Sequence, residues 1–220
     1  MIGPQKSVVL GAMAGSEERA TDRIFVVEDA SARDFVEAVF ECAAVDLLPE
    51  KRPKYKVISA GSWTSAIDLF RALRAQNDTI SRVSLLMDGD VEDTMQEQRQ
   101  VNPNNEHVSF YFSEGESKLV IPFTPECFLV LMVSRDREAY LKHLRGVCGD
   151  FQINLPTQIV IPRTDGRSER EPCKAYYRAL CRELTNADIS DCSSKVFSAA
   201  MRLAKDQYRN DWGRIRMRVH

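Results

Sequence analysis

The segment Val83 to Asp90, VSLLMDGD, is an apolar run that ends in two aspartates separated by one glycine. A run of this length bounded by Gly reads as a buried strand. Asp88 and Asp90 then stand at its C-terminal mouth, the edge of an open α/β sheet at which ligands bind. Alternate residues of an extended chain point to opposite faces, and Gly89 lets the backbone turn so that both carboxylates approach one cation. Carboxylate oxygens are hard ligands suited to Mg²⁺ or Mn²⁺. A second apolar run, Arg23 to Glu28 (RIFVVE), also closes on a carboxylate. On neighbouring parallel strands, Glu28, Asp88 and Asp90 share one edge. Bare carboxylates gathered there repel one another, and a bound cation is the natural compensation.

The elements that must position these acids follow from the pattern between them. Ser31 is an expected N-cap for a helix from Ala32 to about Leu48, with Phe35, Val36, Val39, Phe40 and Ala43 at helical spacing and Pro49 and Pro53 as the stop. Lys54 to Ala60 (KYKVISA) predicts a second strand, Gly61 and Ser62 a turn, and Trp63 to Gln76 a second helix. With VSLLMDGD as third strand, the order is strand, helix, strand, helix, strand, the signature of right-handed crossovers and a parallel sheet. Val91 to Asn105 is a short helix or a loop. His107 to Phe112 (HVSFYF) alternates and predicts a fourth strand, and Lys118 to Phe123 (KLVIPF) another extended segment. Thr124 as N-cap and Pro125 at the first helical position start a further helix. That places Glu126 in the first turn, where a negative charge is favourable against the helix dipole.

The C-terminal part reads as helical. Ser134 to Asp150, Pro172 to Leu184 and Ser190 to Tyr208 are expected helices. Leu155 to Pro162 is a strand or a connector, Thr164 to Glu171 a charged loop, and Arg209 to His220 a basic tail. The expected organisation is a linker or tail over 1–22, an α/β core over 23–131, and a mainly helical part over 132–220 packing on that core. The fold class is α/β, a mostly parallel sheet flanked by helices with a C-terminal helical portion.

Composition narrows the partners. A net charge of −2 over 220 residues gives no general basic signal, so nucleic acid is held by a local patch or through metal ions. No apolar run approaches the roughly 18 residues of a membrane span, which excludes a membrane partner of that kind, and the N-terminus has no signal-peptide pattern. The scattered cysteines, without a CxxC pair, predict free thiols of a reducing cytoplasm and no zinc site. His107, His143 and His220 lie far apart in sequence and read as surface or core residues.

A strand ending in Glu, a helix, a glycine turn after a second strand, and a strand ending in Asp-x-Asp resemble the Toprim domain of topoisomerases, bacterial primases, recombination proteins and OLD-family nucleases. VVED (Glu28) and MDGD (Asp88, Asp90) carry the likeness. RIFVVEDASARDFVEAVF is most similar to the OLD version, in which "VVEG" precedes a polar turn and a helix with Phe near its start, here Phe35. IPFTPECFL resembles the OLD segment of the form "IEnYL", which maps its acidic residue onto Glu126. Two positions depart from the pattern. The usual Gly after the first acid is Asp29, and the second acid four residues on is Ala32, with Asp29 or Asp34 as substitutes.

The resemblance implies a metal-dependent DNA endonuclease, the catalytic part of an ATPase-nuclease connected to phage defence or DNA processing. Glu28, Asp88 and Asp90 bind one ion, and Glu126 contributes to a second. Two Mg²⁺ or Mn²⁺ ions about 3.5–4 Å apart activate water and neutralise the leaving oxygen. A C-terminal lysine stabilises the transition state, with Lys195 as first candidate and Lys174 as second. The implied partners are DNA and an ATPase domain, in the same parent chain or in trans; a homodimer stays open. None of the tyrosines stands out as a topoisomerase nucleophile. The alternatives are a non-catalytic Toprim-type DNA-binding or recombination module and a receiver-like phosphate domain.

Overall fold

The computed structural model describes residues 23–76, 83–114, 118–149, 151–153, 155–157 and 170–219. The expected linker over 1–22 and most of the segment from Leu155 to Glu171 lie outside the described residues.

Four short strands form one parallel sheet in the order β2-β1-β3-β4. They are β1 (Arg23–Val27), β2 (Tyr55–Ser59), β3 (Val83–Met87) and β4 (Lys118–Val120). Val27 of β1 pairs with Ser59 on one side and Leu86 on the other, so β1 and β3 are neighbours and end at nearly the same level. Val26 and Val27 are wholly buried, as a central strand covered on both faces requires.

The period of two along these strands sorts their side chains onto two faces. Phe25, Val27 and Leu86 face one core; Val26, Val83, Leu85 and Met87 face the other. The second core is closed by α2 (Trp63–Gln76), α3 (Val91–Val101) and α4 (Glu106–Ser113). The first is larger and holds α1 (Ala30–Ala44), α5 (Pro125–Arg135), α6 (Arg137–Cys148), α7 (Arg170–Asn186), α8 (Cys192–Gln207) and α9 (Arg209–Val219). Phe35 of α1 sits edge-on to both Phe128 of α5 and Phe197 of α8, at 5.6 Å between ring centroids. Helix α5 runs across the expected boundary at Leu131, and α8 packs against α1 and α6.

Three expectations are corrected. HVSFYF is helix α4 and not a strand: Asn105 Oδ1 accepts from the backbone N–H groups of His107 and Val108, and the buried residues are Val108 and Tyr111, three apart. The place beside β3 is taken instead by Lys118–Val120. The first helix is capped by Asp29 and not by Ser31, because Asp29 Oδ1 accepts from Ala32 N at 2.9 Å. The basic tail is helix α9, in which Trp212 and Ile215 are buried at helical spacing between exposed arginines. Among the described residues no helix is long and apolar enough to cross a membrane, and none of the six cysteines is in a disulfide.

Candidate metal centre at the sheet edge

Each acidic residue of the sheet edge is delivered by a separate local device. Glu28 follows β1 directly, and its carbonyl accepts from Gly61 N at 2.7 Å, which ties the end of β1 to the turn after β2. Gly61 adopts φ +95°, a conformation costly to any other residue. Asp88 follows β3 and opens a turn closed by Val91 N on its carbonyl at 3.1 Å. Asp90 is the N-cap residue of α3, yet its carboxylate makes no capping bond. Glu126 stands in the first turn of α5, which Thr124 caps by accepting from Cys127 N.

Gly89 has a different role from the one its place between two acids suggests. Its φ is not positive. A Cβ there would lie 2.8 Å from Ile121 O, 2.8 Å from Phe123 N and 2.9 Å from Phe123 C. The bare glycine lets the backbone from β4 to α5 press against the Asp-Gly-Asp turn. That close approach is what brings Glu126 to the aspartates.

The result is a buried acidic cluster. Asp88, Asp90 and Glu126 are each only 4% exposed. Burial raises Asp88 well above the ordinary carboxylate range, and Glu28, Asp29, Glu126 and Asp90 add to the effect. Burial likewise raises Glu28, against the pull of Arg170 and Lys174. It raises Glu126 too, opposed by its own backbone N–H, by the Ser31 hydroxyl and by Lys174. Ser31 Oγ donates to Glu126 Oε1 at 2.9 Å. Four carboxylates, three just past the ends of β1 and β3 and one in the first turn of α5, are hard oxygen donors of the kind that Mg²⁺ and Mn²⁺ take.

Two cations from α7 face this cluster. Arg170 Nη1 donates to Asp90 Oδ2 at 2.6 Å. Burial lowers the Arg170 pKa, but the four carboxylates, Asp90 foremost, outweigh it and raise it. Lys174, one turn further on, acts on Glu28 and Glu126. Lys195 lies near the start of α8, and its charge acts on Cys148 at the end of α6. Arg170 escaped the sequence reading because it fell in a charged segment assigned to a loop. A helix beginning two residues before Pro172 was the missing signal, since Pro is favoured in a first turn.

The departures at Asp29 and Ala32 have clear local outcomes. The Asp29 carboxylate is committed to capping α1, Ala32 is buried in the core, and Asp34 pairs with Arg33 at 2.8 Å. Ala32 offers no ligand, whereas the charge of Asp29 acts on Glu28, Asp88 and Glu126. Among the described residues, the trio of His, Cys, Asp or Glu with ligand atoms all within 4.8 Å of one another is Asp68, Glu106 and His107, between α2 and α4. There His107 Nε2 lies 2.9 Å from Asp68 Oδ1, and Glu106 pairs with Arg71 at 3.3 Å. No three of the sheet-edge carboxylates draw that close.

No protein-family model matches the chain, and no characterised protein matches it by sequence. Among solved structures, it is similar to the C-terminal region of the Burkholderia pseudomallei OLD protein at 14% identity and a TM-score of 0.40, over 92% of this chain and 100% of that one. It is also similar to the C-terminal region of the Xanthomonas campestris pv. campestris OLD protein at 13% identity and a TM-score of 0.37, over 90% of this chain and 94% of that one. Both come from the family that VVED and MDGD resemble. At this level of likeness neither says what this chain does.

Proposed function

We propose that the chain is a metal-dependent nuclease module that hydrolyses phosphodiester bonds of DNA, with Glu28, Asp88, Asp90 and Glu126 as the ligands of two Mg²⁺ or Mn²⁺ ions. The observation that carries this reading is Asp88. A carboxylate 4% exposed, set among three others at one sheet edge, is costly in the folded chain unless a cation sits beside it. Glu28 and Asp90 lie just past the ends of the adjacent strands β1 and β3, the part of an α/β sheet that ordinarily serves ligands.

When bound, the ions supply an activated water and neutralise the leaving oxygen. The protein's share is positional. β1 and β3 set Glu28 and Asp88 side by side, Gly89 admits the chain that carries Glu126, and Ser31 fixes one Glu126 oxygen. Lys174 of α7 acts by its charge on Glu28 and Glu126, so it is suited to steady the charge on the non-bridging oxygens of a phosphate attacked in line. Lys195 stays the alternative. The proposed partners are DNA and an ATPase domain in the same parent chain or in trans, with a homodimer as a further possibility to be measured.

The test is plasmid nicking by the purified chain with EDTA, Mg²⁺ or Mn²⁺. Cleavage should need the cation and vanish in Glu28→Ala and in Asp88→Ala/Asp90→Ala. If the double variant cuts at the wild-type rate, the site is elsewhere. A second reading, a non-catalytic DNA-binding module of the Toprim type, is favoured by the departures at Asp29 and Ala32, since buried Ala32 brings no carboxylate where the resembled pattern has a second acid. It predicts DNA retention with no cation-dependent cleavage in any arm.

A further inference from the structure

We propose that the Arg170 guanidinium and a divalent cation compete for Asp90, so that Arg170 is the resident counter-ion of the carboxylate cluster and leaves it when the cation enters. The inference rests on the metal-dependent reading above and goes beyond it by naming the group that gates the site.

Four observations carry it. Asp90 Oδ2 is engaged by Arg170 Nη1 at 2.6 Å, on a carboxylate whose side chain is 5% exposed. That bond sets a positive charge against an oxygen that an entering cation would use, and two cations on one carboxylate repel each other. Second, the Arg170 Nε is buried and has no hydrogen-bond partner among the described residues. A buried donor without an acceptor is unfavourable. The guanidinium is thus held where it is by the charge of the acids and not by a full set of its own bonds. A guanidinium built in for structure would ordinarily have its donors satisfied.

Third, no three of the sheet-edge carboxylates bring ligand atoms within 4.8 Å of one another. In this spread arrangement Asp90 is the one paired with the arginine. Fourth, Arg170 is the first residue of α7. Its side chain is 30% exposed, so solvent borders the way out of the cluster. The electrostatics favour the exchange: one positive charge faces Asp90, Glu28, Asp88 and Glu126, and a divalent ion brings two.

The experiment is isothermal titration of Mn²⁺ into the EDTA-dialysed chain, as wild type, Arg170→Gln, Arg170→Ala and Asp88→Asn. Arg170→Gln keeps bulk and hydrogen-bonding groups and removes the charge, which guards against loss of the fold in the alanine variant. Circular dichroism selects the variants that fold. Competition predicts Mn²⁺ binding about tenfold tighter in Arg170→Gln than in wild type, within the usual range of coupling between two ligands of one site. In the wild type, the Arg170 Nε–H resonance should move as Mg²⁺ is added. Wild-type or weaker Mn²⁺ affinity in Arg170→Gln overturns the competition and leaves the metal site standing. If wild-type binding is absent, or survives in Asp88→Asn, the metal reading fails and the competition fails with it.

Discussion

The Ser31 hydroxyl donates a hydrogen bond to Glu126 Oε1 at 2.9 Å, between residues 95 positions apart. It joins the first turn of α1 to the first turn of α5 beside the acidic cluster. Asp29 caps α1 and so frees Ser31 for this task. The bond opposes the effect of burial on Glu126 and favours its ionised form. Ser31→Ala should therefore lower stability at pH 8 by about 1–3 kcal/mol, the range for losing a bond to a charged buried group. The loss should be smaller at pH 5, where more of Glu126 is protonated. Urea unfolding of the two proteins at both pH values checks this, and an equal loss at both would mean that the hydroxyl serves packing alone.

The cluster also sets a pH dependence with a definite sign. Glu28, Asp88 and Glu126 all have carboxyl groups raised above their ordinary values, chiefly by burial. A raised carboxyl binds protons more tightly in the folded chain than in the unfolded one. Its contribution is fully present below the unfolded pKa, about 4, and is lost as pH rises through the folded value. Stability in EDTA should thus fall from pH 5 to pH 8. Asp88→Asn should flatten the profile and make the chain more stable than wild type at pH 8. Excess Mg²⁺ should restore the wild type and leave Asp88→Asn unmoved. Thermal unfolding in a matched buffer series reads all three, and stability that rises toward pH 8 in EDTA would contradict the burial of the cluster.

The sheet was legible from sequence because its strands announce themselves twice, by apolar runs and by the acids that end them. RIFVVE and VSLLMDGD carry both signals, and β1 and β3 are neighbours. The helices that close the second core were harder to read. HVSFYF alternates over too short a stretch to separate periods of two and three, and the decisive residue, Asn105, lies just outside it. α9 was hidden because Trp212 and Ile215 are, among the described residues, its only two buried apolar ones and stand among arginines. Arg170 was beyond reach for another reason: its place beside Asp90 depends on how α7 packs on α5, a long-range contact that no local spacing encodes.

Gly89 offers a direct test of how the site is assembled. An added methyl group meets Ile121 O, Phe123 N and Phe123 C at 2.8–2.9 Å, and all three are backbone atoms that cannot swing aside. Gly89→Ala must push the β4–α5 connection away from the aspartates, at a cost of about 1–3 kcal/mol in stability, as for other overpacked sites. The larger effect should fall on the metal, since the displaced connection carries Glu126. Mn²⁺ affinity should drop while circular dichroism stays that of a folded α/β chain. Unchanged stability and affinity would show that the connection has room to give.

The two candidate lysines make opposite predictions, and the placement of their charges says which should matter. Lys174 acts on Glu28 and Glu126 from the same helix as Arg170, whereas Lys195 acts on Cys148. A cation that steadies charge on a reacting phosphate must face the metal ligands, and removal of such a group costs about 10²–10³-fold in rate. Lys174→Met should lose activity on that scale in Mg²⁺-dependent DNA cleavage and leave Mn²⁺ affinity within a few-fold of wild type. Lys195→Met should cleave at nearly the wild-type rate. Single-turnover cleavage at saturating Mg²⁺, with Mn²⁺ titration alongside, separates a loss of chemistry from a loss of metal. If Lys195→Met is the variant that fails, α8 and not α7 supplies the catalytic charge, and the assignment of Lys174 falls.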